Sequence, residues 1–103
     1  MATTVTKFYR GAAATTGTYL TATAVPASTT WVITNIVLSN ASTSTQTATI
    51  SMGGIIVIPT ISLPANSVST FDMRQVMSAA DTGIYGYASS TSVNFHISGV
   101  TIV

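Results

Sequence analysis

Thr45 to Met52 alternates without interruption, with Thr45, Thr47, Thr49 and Ser51 on one side and Gln46, Ala48, Ile50 and Met52 on the other. A period of two predicts a half-buried β-strand with its threonines outward. Gly53-Gly54 then supplies a two-residue hairpin turn, so Ile55 to Ile58 reads as the returning strand. Ser67 to Met73 alternates again, with Ser67, Ser69, Phe71 and Met73 opposite Val68, Thr70 and Asp72. Thr30 to Ser39 is the strongest strand signal. One face reads Trp31, Ile33, Asn35, Val37 and the other Val32, Thr34, Ile36, Leu38. Both faces are largely apolar, which predicts a central strand or one that meets a partner as well as the core.

The flanks follow the same logic. Thr3 to Tyr9 reads as a first strand with Val5, Lys7 and Tyr9 on one face, and Gly11 to Gly17 as a loop. Thr18 to Val25 reads as a second strand closed by Pro26-Ala27-Ser28. Asp72 to Ala80 holds good helix formers, but it is short and runs into the turn signal Asp81-Thr82-Gly83. It is read as a strand end followed by a loop or one helical turn. Gly83 to Ser89 places Tyr85 and Tyr87 on one face. Ser92 to Val103 points Val93, Phe95 and Ile97 inward, with a bulge expected at Gly99.

About eight short strands joined by Gly, Pro, Asn and Ser turns predict an all-β chain. The architecture expected is a single small antiparallel β-sandwich, jelly-roll-like, spanning residues 1–103. Residues 1–17 are an edge strand or a docking arm. The Ala/Thr-rich stretch 11–30 is either strand or loose arm.

Composition sharpens this picture. Charged residues are 5% of the 103-residue chain, apolar residues 47%, and Ser and Thr together roughly a third. With no Cys, disulfide staples and thiolate zinc sites are excluded. A net charge of +1 cannot neutralise many phosphates, so no nucleic-acid partner is expected. The longest strongly apolar stretch, Ile55 to Ile58, is far short of a membrane span, and no membrane partner is expected. The N-terminal sequence lacks the basic start and apolar run of a secretory signal, which points to folding in a cytosol.

The parts for catalysis are few: Lys7, Arg10, Asp72, Arg74, Asp81 and His96. Asp81 reads as a turn or capping residue and Asp72 as a local partner of Arg74. His96 with Asp72 and Ser98 lacks the G-x-S-x-G elbow of a hydrolase, and a lone His with two scattered carboxylates is a poor metal set. The expectation is no enzyme, no catalytic residue, no metal and no cofactor. Tyr19, Trp31, Tyr85 and Tyr87 present a choice between a sugar platform and core or interface packing, and packing is favoured.

The stronger expectation is assembly. Small domains without staples often gain stability by association, and sheet edges need charged guards that are scarce here. A homo-oligomer is expected, a trimer favoured, with the Trp31 strand or the Tyr85/Tyr87 face near the contact. Lys7, Phe8, Tyr9 and Arg10 form a compact candidate for partner docking. In a regular strand each face would carry one cation and one ring.

TTVTKFYRGAAATTGT, the strand TWVITNIVLSN, the corner LPANS, the run FDMRQVMSAADT and SVNFHISGV together resemble small virion proteins of tailed bacteriophages. Those are Thr/Ala/Ser-rich β-proteins with a similar strand, an LPANS corner and an AGDT-type turn. Here Ala79-Ala80 stands where Ala-Gly is commoner. The resemblance implies a virion protein assembled in the host cytoplasm, either a capsid decoration (cement) protein or a neck, collar or tail component. Its partners would be the major capsid protein or other virion subunits. The alternative from a different class is a carbohydrate-binding adsorption module.

Overall fold

The computed structural model describes residues 2–103; residue 1 of the expected edge strand or arm lies outside them. The chain forms eight strands: β1 (Thr3–Ala12), β2 (Thr18–Tyr19), β3 (Thr30–Asn40), β4 (Gln46–Met52), β5 (Ile55–Leu63), β6 (Ser67–Met77), β7 (Ile84–Ala88) and β8 (Val93–Ile102). They make two four-stranded antiparallel sheets, ordered β1-β8-β3-β6 and β2-β7-β4-β5. Every connection but the β4–β5 hairpin crosses from one sheet to the other. That wrapping is the jelly roll, a sandwich of two Greek keys.

The core lies between the sheets. From β3 come Trp31, Ile33, Ile36 and Leu38, from β8 Val93, Phe95 and Ile97, and from the facing sheet Ala48, Ile50, Met52, Ile58, Ile84 and Ala88. The β3 pattern departs from simple alternation because the strand bulges between Ile33 and Asn35. The extra residue, Thr34, flips the facing, so Trp31 and Ile33 share the inner side with Ile36 and Leu38. Much of the two-sided apolarity of this strand is therefore one apolar face seen through a bulge.

A second bulge sits on β1 between Lys7 and Tyr9. The β1 bulge lies opposite Ile97–Ser98 of β8 and the β3 bulge opposite Ser98–Gly99. The irregularity expected at Gly99 thus belongs to its neighbours. Gly99 itself allows close approach: a Cβ there would stand 2.0 Å from the Val32 carbonyl oxygen.

Three further elements differ from expectation. β2 is two residues long, because the chain leaves the sheet in bends over residues 20–24, after Leu20 N–H donates to the Ile84 C=O at 2.6 Å, and is tied again by Val25 N–H to the Asp81 C=O at 3.0 Å. β5 runs past Pro59 to Leu63, tolerated because β5 is an edge strand irregular at that point. β6 extends to Met77 with no helical turn, and its end is closed by Asp81, whose Oδ2 accepts from Ser78 N–H at 2.9 Å. Gly53 and Gly54, at φ +60° and +83°, form the β4–β5 turn as expected.

Two polar residues are buried among those described: Thr49, expected outward, whose hydroxyl shares a hydrogen bond with that of Thr60 at 2.8 Å, and Asn40. Asn40, at the end of β3, donates through Nδ2 to the carbonyls of Ser44 and Leu63, both at 2.9 Å, and of Pro64 at 3.1 Å. Its Oδ1 accepts from the Ser42 N–H and hydroxyl. The side chain thereby fastens the β3–β4 loop to the β5–β6 corner, and burial is tolerated because its donors and acceptor are used.

Candidate functional site

Residues opposite each other on antiparallel strands share a face, so the register defines the outer surface of the β1-β8-β3-β6 sheet row by row. One row reads Val5, Val100, Val32, Val76 and crosses all four strands. At a strand spacing of about 4.8 Å, this row spans about 14 Å. Its ends are open, with Val5 87% and Val76 60% exposed, while Val32 and Val100 are half-buried. The next row reads Lys7, Ser98, Asn35, Asp72 and the one after it Arg10, His96, Val37, Thr70. An apolar stripe therefore runs beside a polar band whose cations sit on the β1 edge.

The N-terminal cluster is divided differently from a regular strand. The bulge at Phe8 turns Phe8 and Tyr9 both inward, where they pack against the core, and leaves Lys7 and Arg10 both in outward rows. Phe8 meets Trp31 at 5.2 Å between ring centroids. Tyr9 donates its hydroxyl to the Ala12 carbonyl at 2.7 Å. Neither face carries one cation and one ring. Trp31 is 8% exposed, so it is a core residue and its ring is not offered to a partner or a sugar.

Tyr85 and Tyr87 lie on the opposite side of the sandwich, on the outer face of β7. The structure therefore does not bring them together with Lys7 and Arg10. Tyr85 pairs with Tyr19 and with Ser51, giving an outer row Tyr19, Tyr85, Ser51, Ile56.

The polar residues weighed for chemistry are separated. His96 and Asp72 stand in different rows and two strands apart, roughly 10 Å at sheet spacing, too far for a hydrogen bond. Asp72 accepts from Asn35 Nδ2 at 2.9 Å, which replaces Arg74 as its partner. Asp81 serves the turn. Among the described residues no group of three or more His, Cys, Asp or Glu side chains is placed to hold a metal.

Sequence reasoning missed the valine row. Each of its members is an isolated apolar residue on an outward position, and only the strand order 1-8-3-6 with its register brings them into line. No protein-family model matches the chain, and no curated protein matches it.

Proposed function

We propose that the protein is a structural subunit of a bacteriophage particle, a head-decoration protein that binds the outer capsid and stiffens the shell. The virion part of this reading comes from the resemblance of the opening segment, the β3 strand, the LPANS corner and the Ala80-Asp81-Thr82 turn to small phage virion proteins. The observation that carries the role is the valine row. Val5, Val100, Val32 and Val76 form an apolar stripe, open at Val5 and Val76 and half-buried between them, on a sheet stiffened by two layers, with Lys7 and Arg10 beside it. Such a stripe supplies buried area on docking, and the adjacent cations supply orientation. In this reading the stripe mediates contact between copies of the chain in a homo-oligomer, and the cationic β1 edge faces the capsid. Catalysis plays no part in it.

The test is direct. Densitometry of purified virions should show the protein at hundreds of copies per particle, whereas a neck or tail component would stand at tens or fewer. The double variant Val5→Asp/Val76→Asp should stay folded and sediment as a monomer. Lys7→Glu/Arg10→Glu should keep the oligomer and lose binding to capsids stripped of the protein, with the wild-type affinity falling as salt rises. A wild-type chain that sediments as a monomer at micromolar concentration and is absent from particles would overturn the proposal. Charge reversal leaves in place the contact of Phe8 with Trp31 that deleting the strand would remove.

A further inference from the structure

The outer face of the β2-β7-β4-β5 sheet has a chemistry of its own. Apart from tyrosine, none of its strand residues is ionisable. Tyr19 and Tyr85 meet edge to face, 5.0 Å between centroids and 75° between planes. Tyr87 follows two residues along β7 on the same side. Tyr19 is 56% and Tyr87 37% exposed. Two open depressions adjoin Tyr19. One, of about 310 Å³, is lined by Thr21, Thr23, Thr82 and Gly83 among others. The other, of about 240 Å³, is lined by Tyr19, Ser51, Gly54 and Tyr85. Tyr19 is common to both.

Unlike Tyr9, whose hydroxyl is used internally, Tyr19, Tyr85 and Tyr87 have no hydroxyl partner among the described residues. Tyr19 and Tyr87 are exposed residues, and the hydroxyl of the half-buried Tyr85 is not fully enclosed. The rings are also held in place. β7 lies between β2 and β4, and its alternate residues Ile84 and Ala88 are anchored in the core. Tyrosine has few rotatable bonds, so little freedom is lost when a ligand settles on such rings.

We propose that this surface is a binding platform for a neutral oligosaccharide, with Tyr19, which stands between the two depressions, and Tyr87 as its stacking rings and Tyr85 bracing Tyr19 edge to face. A pyranose ring has an apolar C–H face and a rim of hydroxyls. The first packs on an exposed aromatic face, and the second exchanges hydrogen bonds with the tyrosine, Ser51 and Thr82 hydroxyls. The absence of a cation selects within that class, since the one fixed charge beside the depressions is the Asp81 carboxylate, next to Thr82 and against Gly53. A phosphate, sulfate or sialic acid carboxylate would lose water without gaining a cation, a loss that disfavours burial. The two depressions on either side of Tyr19 suit successive sugar units of a chain better than one enclosed monosaccharide. The proposal is independent of the virion reading, because it rests on the opposite sheet.

The experiment is titration calorimetry of the full chain against maltohexaose, cellohexaose and N-acetylchitohexaose, with sialyllactose as the charged control and a neutral glycan array for breadth. Binding of at least one neutral oligosaccharide is expected, with sialyllactose no tighter than its neutral counterpart lactose. Tyr19→Ala and Tyr87→Ala, both at exposed positions, should each weaken it about tenfold and leave the circular dichroism and melting temperature near wild type. Val5→Asp/Val76→Asp, on the other sheet, should leave it unchanged. Failure of every neutral glycan to bind at millimolar concentration would overturn the proposal. So would binding that survives in Tyr19→Ala/Tyr87→Ala, or a double variant whose only defect is loss of self-association or capsid binding, which would make the surface a protein contact. Capsid binding by wild type is read separately, so the virion reading and the saccharide reading fail independently.

Discussion

The two sheets of this sandwich share a core and differ almost completely outside it. Lys7, Arg10, Asp72 and Arg74, with His96, all lie on β1, β6 and β8 of one sheet, and only Asp81 among the charged residues lies in a turn. The other sheet carries tyrosine, threonine and serine, with Ile55 and Ile56 exposed on its β5 edge. The charged sheet is also the irregular one around a single level, where β1 and β3 both bulge on either side of Ser98. The charge-free sheet confines its irregularity to the β5 edge. A chain with few charges can thus concentrate them on one surface and leave the other neutral. The two surfaces then suit different partners without needing different folds.

The largest expected effect tests whether the charged sheet is anchored through its rings. Trp31→Ala should destabilise by about 3–5 kcal/mol, because it empties a core position and strips Phe8 of its stacking partner. Tyr87→Ala, on the charge-free sheet, should cost about 1 kcal/mol or less. Chemical denaturation of the two variants makes the contrast, and equal losses would break it.

Asn40→Asp comes next and probes the junction between the sheets. An aspartate there would face the Ser44, Leu63 and Pro64 carbonyls. Burial among acceptors raises the folded-state pKa above its unfolded value near 4. The variant should be most stable below that unfolded pKa and lose stability as pH rises through the folded one. At neutral pH the loss should be about 3 kcal/mol or more. Thermal melts from pH 3 to 8 check the sign, and a melting temperature that rises with pH relative to wild type would contradict it.

The smallest effects separate two kinds of glycine. Gly99→Ala drives a methyl into the Val32 carbonyl on the bulged sheet and should cost about 2–3 kcal/mol. Gly54→Ala meets open space, with Thr82 Oγ1 at 4.0 Å, and its cost of about 1 kcal/mol comes from the positive φ. Urea midpoints should keep that order, and the reverse order would assign the greater strain to the hairpin.

The fold was legible in the sequence wherever alternation ran unbroken. β4, the Gly53-Gly54 turn and the Val93, Phe95, Ile97 face of β8 follow directly from period two. What alternation cannot register is an inserted residue. At Thr34 and Phe8 a regular count assigns half of each strand to the wrong side, and this placed Trp31 with Asn35 and separated Phe8 from Tyr9. Pro59 misled in the other direction, since a proline ends a central strand but not an edge strand, and edge position belongs to the topology. Of the candidate surfaces, the Tyr85/Tyr87 pair was visible because both residues lie on one strand. Tyr19 beside them and the valine row needed the register across strands.

The pairing of Thr3 with Ile102 has a consequence for how the chain acquires its shape. β1 has β8 as its partner strand, so β1 leaves the ribosome long before the strand it pairs with. Through that interval Phe8 and Tyr9 have no core to enter, and Trp31 lacks its stacking partner. Closing so long a loop is slow, and domains dominated by such pairings fold in milliseconds to seconds. During synthesis, then, the ten-residue β1 is an unsatisfied edge in search of another edge. Its lysine and arginine are the charges placed to discourage a wrong one.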